Sequence, residues 1–145
     1  MTADVVSALV AYLAADAGVA ALVGARVFGI ELPAAEAAAM PRKALLLRES
    51  GGVSPVDAGY TELAGQRLDV FAYGETPYEA RRVGRAAYGV LKQLRRATVD
   101  VGGTATLVHS VSEAGGALTL RDTEAGWAAR FQSFQALYSE IEIAA

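Results

Sequence analysis

Few side chains in this chain have the types and spacing that catalysis or metal binding requires. His109 is the only histidine and there is no cysteine, so no second imidazole and no thiolate can complete a set with it. We interpret His109 as a packed or rim residue of a strand. Asp122 and Glu124, taken with Asp100 or Glu113, lack the spaced oxygen ligands of a calcium loop. We interpret these carboxylates as solvated acids.

The serines and glycines do not form a recognisable catalytic motif either. Gly-x-Ser-x-Gly, the nucleophile elbow of hydrolases, is absent. Neither Gly51-Gly52 nor Gly102-Gly103 is followed by the Lys-Ser/Thr pair of a phosphate-binding loop. The sequence therefore predicts no enzymatic activity, no cofactor and no metal.

Basic side chains recur at helical spacing in one part of the chain. Arg81, Arg85, Lys92 and Arg96 fall on one stripe of a predicted helix, with Arg82 and Arg95 beside it. One interpretation is a solvated surface face. The other is a basic strip that meets an acidic surface of another subunit or a nucleic-acid backbone. Only Tyr88 interleaves these residues, which gives little support to stacking of single strands, so subunit contact is the better functional interpretation.

The basic strip belongs to a strand that leads directly into a helix. Residues Gln66 to Tyr73 alternate with a period of two, as in a half-buried strand. Thr76 is a predicted N-cap, Pro77 occupies the first helical position, and Glu79 is placed to complete a capping box. An apolar stripe then continues to Leu94, and we expect the helix to end near Arg95-Arg96.

The other predicted elements are shorter. A first helix has Thr2 as its N-cap and runs to about Asp16. Gly102-Gly103 separates two β-rich runs as a two-residue hairpin, with His109 on the face of Ala105, Leu107 and Val111. Strands are predicted at residues 26–30, 43–49, 98–101, 104–111 and 118–120, and residues 34–40 are a helical turn or a loose loop.

The last predicted element, Trp127 to Ile143, changes the phase of its apolar residues twice. Such changes predict a bulge or bend near Gln132-Ser133 and another near Ser139. A strand of this length would span roughly 50 Å at ~3.3 Å per residue. We therefore expect part of it to leave the parent sheet and pair with a neighbouring subunit.

A glycine-rich segment, Ser50 to Gly65, is long for a hairpin connection. It is either surface slack or an arm that orders on meeting a partner.

Composition limits the fold class. The 145 residues carry a formal net charge of −3, and no apolar run approaches the ~20 residues of a membrane span. Asp4 precedes the first apolar stretch without a basic residue, unlike a signal peptide, so a soluble cytoplasmic product is expected. We predict a single α+β domain over residues 1–145, with a mostly antiparallel sheet of four to five strands, helices on one face and the order α-β-β-β-α-β-β.

Five stretches together resemble the tail terminator, or tail completion, family of long-tailed bacteriophages. They are Ala20-Ala21-Leu22-Val23-Gly24-Ala25-Arg26-Val27-Phe28 with Leu32-Pro33; Met40-Pro41; Arg67-Leu68-Asp69-Val70-Phe71-Ala72-Tyr73; Tyr78-Glu79-Ala80-Arg81; and Asp122-Thr123-Glu124-Ala125-Gly126-Trp127. Their order and spacing, rather than any single motif, carry the resemblance. The alanine-rich Ala34–Ala39 and the Gly102-Gly103 hairpin depart from the family pattern.

The resemblance implies a hexameric ring in the virion, at the head-proximal end of the tail tube, assembled in the host cytoplasm. Its implied partners are further copies of itself, the tail tube protein and a head-completion protein, with DNA in passing contact and no membrane. We predict that the interface residues are Gly51, Gly52, Asp57, Tyr60, Arg81, Arg85, Lys92, Gln132, Phe134, Tyr138 and Glu140. The alternatives are another neck or connector protein, a tail tube subunit, or a small non-enzymatic ligand-binding domain.

Overall fold

The computed structural model describes residues 4–50, 63–121 and 126–139, which form four helices and seven strands. The helices are α1 (Val5–Ala15), α2 (Ala17–Val23), α3 (Ala34–Ala39) and α4 (Pro77–Gln93). The strands are β1 (Val27–Gly29), β2 (Ala44–Glu49), β3 (Leu63–Gly74), β4 (Arg95–Val101), β5 (Thr104–Glu113), β6 (Leu118–Arg121) and β7 (Ala128–Ser139).

The strands form one sheet in the order β1-β2-β3-β7-β5-β4, with β6 also paired to β7. Every pairing is antiparallel except that of β1 with β2. β3 and β7 form the centre and pair from Leu63 opposite Ser139 to Gly74 opposite Ala128. The predicted α+β class with a mostly antiparallel sheet is confirmed. The sheet has seven strands rather than four to five, and the element order is α-α-β-α-β-β-α-β-β-β-β rather than α-β-β-β-α-β-β.

Helices α1, α2 and α4 cover one face of the sheet, where the main core lies. α1 contacts both β1 and β4, which stand at opposite ends of the strand order, so the sheet curls around this helix. Leu9 and Leu13 of α1 are completely buried. A smaller apolar cluster occupies the other face, where Leu32 and Met40, which flank α3, pack near Tyr73. The central strands are thus covered on both faces.

Local capping explains where the helices begin. The Thr76 hydroxyl accepts a hydrogen bond from the Glu79 amide at 3.2 Å, and Pro77 opens α4 as predicted. The Glu79 carboxylate accepts from the Glu75 amide. The predicted Thr2 cap of α1 was wrong: Asp4, immediately before the helix, accepts from the amides of Val6 and Ser7.

Side-chain pairing rather than a cap orients α3. Pro33 precedes the helix without a side-chain cap bond. Glu36, only 7% exposed, accepts a hydrogen bond from Arg42 Nε at 2.8 Å. This hydrogen bond lowers the pKa of Glu36. The alanine-rich segment, for which the sequence predicted either a helical turn or a loop, is therefore a short helix. Its Glu36 is hydrogen-bonded to Arg42, which precedes β2.

Helix α4 ends earlier than the sequence predicted. Its last residue is Gln93, and Arg95 and Arg96 open β4 instead. Arg96 has a φ of +47°, in the left-handed region, so the chain turns sharply here. Arg96 therefore does not extend the basic stripe of the helix.

Strand β3 begins earlier than the sequence predicted. Leu63 to Gly65 belong to the strand, so the predicted arm is shorter at its C-terminal end, and its residues 51–62 lie outside the described residues. The predicted hairpin is confirmed, because Val101 pairs with Thr104 across Gly102 and Gly103, both at positive φ.

The predicted bulge near Gln132-Ser133 was wrong. β7 pairs with β3 through twelve consecutive residues without a shift of register. Apolar side chains point to both faces of β7 because both faces are covered, so a phase change in the sequence does not mark a bend. Through Ser139 the strand stays in the parent sheet. Residues Glu140 to Ile143 lie outside the described residues, so the expectation that part of the run leaves the sheet stays a prediction.

The one shift of register recorded along the β5–β7 pairing lies between Val108 and Ser110, at His109. Val108 and Val111 consequently both face the core. The predicted common face of His109 and Val111 was wrong for this reason.

No single helix within the described part of the chain is long and apolar enough to cross a membrane. Only α1 and α2 taken together, with an 86° bend between them, meet that length and composition.

Candidate functional site

A cleft of about 500 Å³ lies between the flank of α4 and the end of β5. The helix contributes Arg81, Arg85 and Tyr88, which stand at i, i+4 and i+7 and so share one face. β7 contributes Arg130 and Gln132, and Glu113 with the turn that follows it completes the lining. Three guanidinium groups therefore line one cavity.

Arg130 is half-buried, whereas Arg81 and Arg85 are exposed. An ideal Cβ at Gly84 would lie 2.7 Å from Arg130 Cδ, so the absence of a side chain there leaves room for the Arg130 stem. Arg130 Nε is buried and has no hydrogen-bond partner among the described residues. Desolvation, followed by the charges of Arg81 and Arg85, lowers the pKa of Arg130. Among the described residues, none of the three arginines forms an ion pair with an acid.

The carboxylate on the cleft wall is already engaged. Tyr88 donates a hydrogen bond from Oη to Glu113 Oε1 and accepts one from Lys92 Nζ at 3.0 Å. Lys92 Nζ also lies 4.0 Å from Glu113 Oε1. The hydrogen bond to Tyr88 raises the pKa of Lys92. Glu113 is thus paired with Lys92 and Tyr88 rather than with Arg130.

The structure brings together only part of the residue set predicted from the sequence. Arg81, Arg85 and Gln132 line the arginine cleft. Lys92 and Phe134 line an adjacent cavity of about 230 Å³. Phe134 is 2% exposed and Tyr138 packs against the same core, so a subunit contact through these two residues stays a prediction. The other predicted interface residues, Gly51, Gly52, Asp57, Tyr60 and Glu140, lie outside the described residues.

Sequence reasoning missed Arg130 and Gly84. Both carried a signal that could have found them. Strand alternation puts Arg130 on the same face as Gln132 and Phe134, the face that α4 covers. Gly84 interrupts the helix between Arg81 and Arg85, where alanine would be the better helix former. A charged strand residue that faces a helix at a glycine, where the helix has no side chain, indicates a cleft.

The chemistry of this cleft is that of anion binding. Guanidinium groups donate several hydrogen bonds in a plane and remain charged at all physiological pH values. Among residues 4–50, 63–121 and 126–139, no group of three or more His, Cys, Asp or Glu side chains is arranged to hold a metal ion.

The fold has a solved counterpart in a virus-like particle. A chain of a structure described as the virion of a native gene transfer agent particle superimposes with a TM-score of 0.61 and 18% sequence identity. The match covers 92% of each chain, and at this identity it shows a shared fold. No curated protein matches the sequence.

The sequence also matches a family model. The model describes the tail completion protein gp17 and aligns with residues 7–139. This range includes every described strand and all but the first two residues of α1. The chain therefore belongs to the family of tail completion protein gp17, a structural protein of phage tails.

Proposed function

We propose that this chain forms a hexameric ring at the head-proximal end of a phage tail tube. There it ends polymerisation of the tube and presents the surface to which the head docks. The observation that carries this proposal is the family match over residues 7–139. The fold shared with a chain of a virion particle agrees with it.

The exposed basic side chains of α4 supply the polar part of the contact between subunits in this proposal. Arg81, Arg85 and Lys92 are all exposed in the single chain, so they are available to a neighbour. The glycine-rich segment supplies the second contact, as its length in the sequence suggests.

Strand exchange between subunits is confined to the residues after Ser139. The backbone of β7 is already paired with β3 on one side, and with β5 or β6 along most of the other. Exchange through Gln132 to Ser139 would break those pairs, and each unsatisfied buried backbone group is costly. Glu140 and the residues that follow therefore form the exchangeable end in this proposal.

The partners in this proposal are the tail tube protein and the head-completion protein of the same particle. DNA passes through the lumen of the ring on its way from the head. The head-facing and tube-facing surfaces are distinct, because a head-to-tail ring has two different ends.

Tube polymerisation tests this function directly. Tail tube subunits encoded in the same genome would be polymerised with increasing amounts of labelled chain and imaged by electron microscopy. We expect shorter tubes that carry the label at one end only, since a terminator stops growth where it binds. Chain added after growth is complete serves as the control and should label ends without shortening tubes. Unchanged tube lengths at molar excess would contradict termination, and label along the whole tube would indicate a tube subunit.

A further inference from the structure

We propose that the cleft formed by Arg81, Arg85 and Arg130 is a carboxylate-binding site that receives an Asp or Glu side chain of a second copy of this chain. The proposal deepens the ring proposed above, and its choice of a second copy as the source rests on that ring. The carboxylate site itself stands on the geometry of the single chain.

The geometry leaves a place for an anion. Two arginines one helical turn apart repel each other, and Arg130 of β7 enters the same cavity of about 500 Å³. Arg130 Nε is buried without a hydrogen-bond partner in the described part of the chain. Leaving such a donor unsatisfied is costly. An anion bound in the cleft would reduce the repulsion among the three guanidinium groups and partly offset the cost of burying Arg130.

The chemistry of the walls favours a carboxylate over a nucleic-acid backbone. Glu113 lines the same cleft as the arginines, and its side chain is 45% exposed. A duplex carries a charge about every 1.7 Å, so a backbone placed here would bring further phosphates against this acid. A single carboxylate brings only one negative charge into the cleft, and it matches the planar donor geometry of the guanidinium groups.

Charge complementarity favours a second copy as the source of that carboxylate. The chain has 16 acidic residues against 13 basic ones. Exposed acids away from the cleft lining include Glu31, Glu49, Glu75 and Asp100. A basic cleft on one subunit and an acidic side chain elsewhere on the next make a head-to-tail contact, which is the contact type that closes into a ring.

Binding of small anions to the single chain tests the site without any assembly. Glutarate, sodium phosphate and a short DNA duplex would be titrated separately at equal ionic strength and followed by NMR. We expect saturable glutarate binding that moves the signals of Arg81, Arg85 and Arg130. In R130Q the glutarate Kd should rise about tenfold, because a hydrogen bond to a charged group is lost. R82Q, which removes the same charge from the same helix outside the cleft lining, should change the Kd by less than about twofold.

A second variant, G84A, provides an independent test of the site if R130Q fails to fold. G84A removes no charge, but its Cβ would displace the Arg130 side chain, so glutarate binding should weaken. G89A adds the same methyl group to the same helix where nothing lies within 4 Å, so its glutarate Kd should be unchanged. Unchanged glutarate binding in both R130Q and G84A would overturn the site. Phosphate or DNA binding tighter than glutarate binding would overturn the carboxylate assignment.

Native mass spectrometry of the same variants tests the source of the carboxylate. We expect R130Q to reduce the fraction of rings at a given concentration, whereas R82Q does not. Normal rings from R130Q, with glutarate binding lost, would overturn the second copy as the source and leave the ring intact. Absence of rings from the unmodified chain, both alone and with its tail tube protein, would overturn both the hexamer and the second copy, while the glutarate titration would still decide the site.

Discussion

Gly74→Ala should lower the free energy of unfolding by about 3 kcal/mol, at the upper end of the usual cost of overpacking. Gly74 ends β3, and an ideal Cβ there would lie 2.6 Å from the backbone nitrogen of Ala80 and 2.6 Å from Glu79 Cβ. These atoms belong to the first turn of α4, which packs back on the strand end and is buried at Ala80. The backbone of the helix, not a flexible side chain, would have to move.

The control for this prediction is Gly89→Ala in α4, the helix that the Cβ at Gly74 would meet. Nothing lies within 4 Å of a Cβ at Gly89, and alanine is favoured over glycine in a helix interior by about 0.5–1 kcal/mol. Chemical unfolding of both variants should therefore give shifts of opposite sign. A G74A protein as stable as the unmodified chain would show that the strand and helix are not in this close contact.

Arg85→Glu should abolish most ring formation while leaving the subunit folded. Arg85 is exposed and contributes no hydrogen bond or ion pair to the described chain, so its reversal costs little within the subunit. Across a contact it would place an acid against the incoming carboxylate of a neighbour, which like-charge repulsion opposes. Native mass spectrometry gives the ring fraction, and thermal unfolding gives the stability.

The matched control is Arg82→Glu, because Arg82 is exposed on the same helix but does not line the cleft. It should form rings at nearly the normal level. Deletion of residues 51–59, which lie outside the described part of the chain, is the counterpart for the glycine-rich segment and should also reduce rings more than folding. Normal rings from both R85E and the deletion would refute the assignment of these contacts.

The strand and helix at the centre of the chain could be predicted because their signals are local. Thr76 and Pro77 mark a helix start by the chemistry of the first turn, and the alternation before Gly74 marks a strand. The N-cap of α1 was missed although Asp4 is itself a good capping residue. The choice between Thr2 and Asp4 depends on which residue first adopts helical dihedrals, and a pattern of apolar residues fixes that only to within a turn.

The shape of the sheet could not be predicted in this way. The predicted bulge or bend in β7 was wrong because Ala129 and Phe134 belong to two different apolar clusters, one on each face of the sheet, and a strand covered on both faces does not show a single phase. The register shift at His109 left no mark on composition. The curl of the sheet depends on the contacts that α1 makes with both β1 and β4. β4 lies far from α1 in the sequence, so no local pattern could predict these contacts.

The candidate site was predicted in its helical half only. Arg81 and Arg85 recur at the period of a helix, so their common face follows from spacing. Arg130 joins them through the placement of α4 over β7, which is a tertiary contact and not a spacing. Gly84, between the two arginines, is the local residue from which such a contact could have been inferred.

We propose above that this chain is a ring-forming component of a phage tail. Native mass spectrometry of the purified chain, alone and with its tail tube protein, combined with negative-stain images of the same samples, tests it most directly. We expect a hexamer with a central hole, either in the chain alone or once the tail tube protein is present. A strict monomer in both samples, with no density added at the tube end, would contradict it.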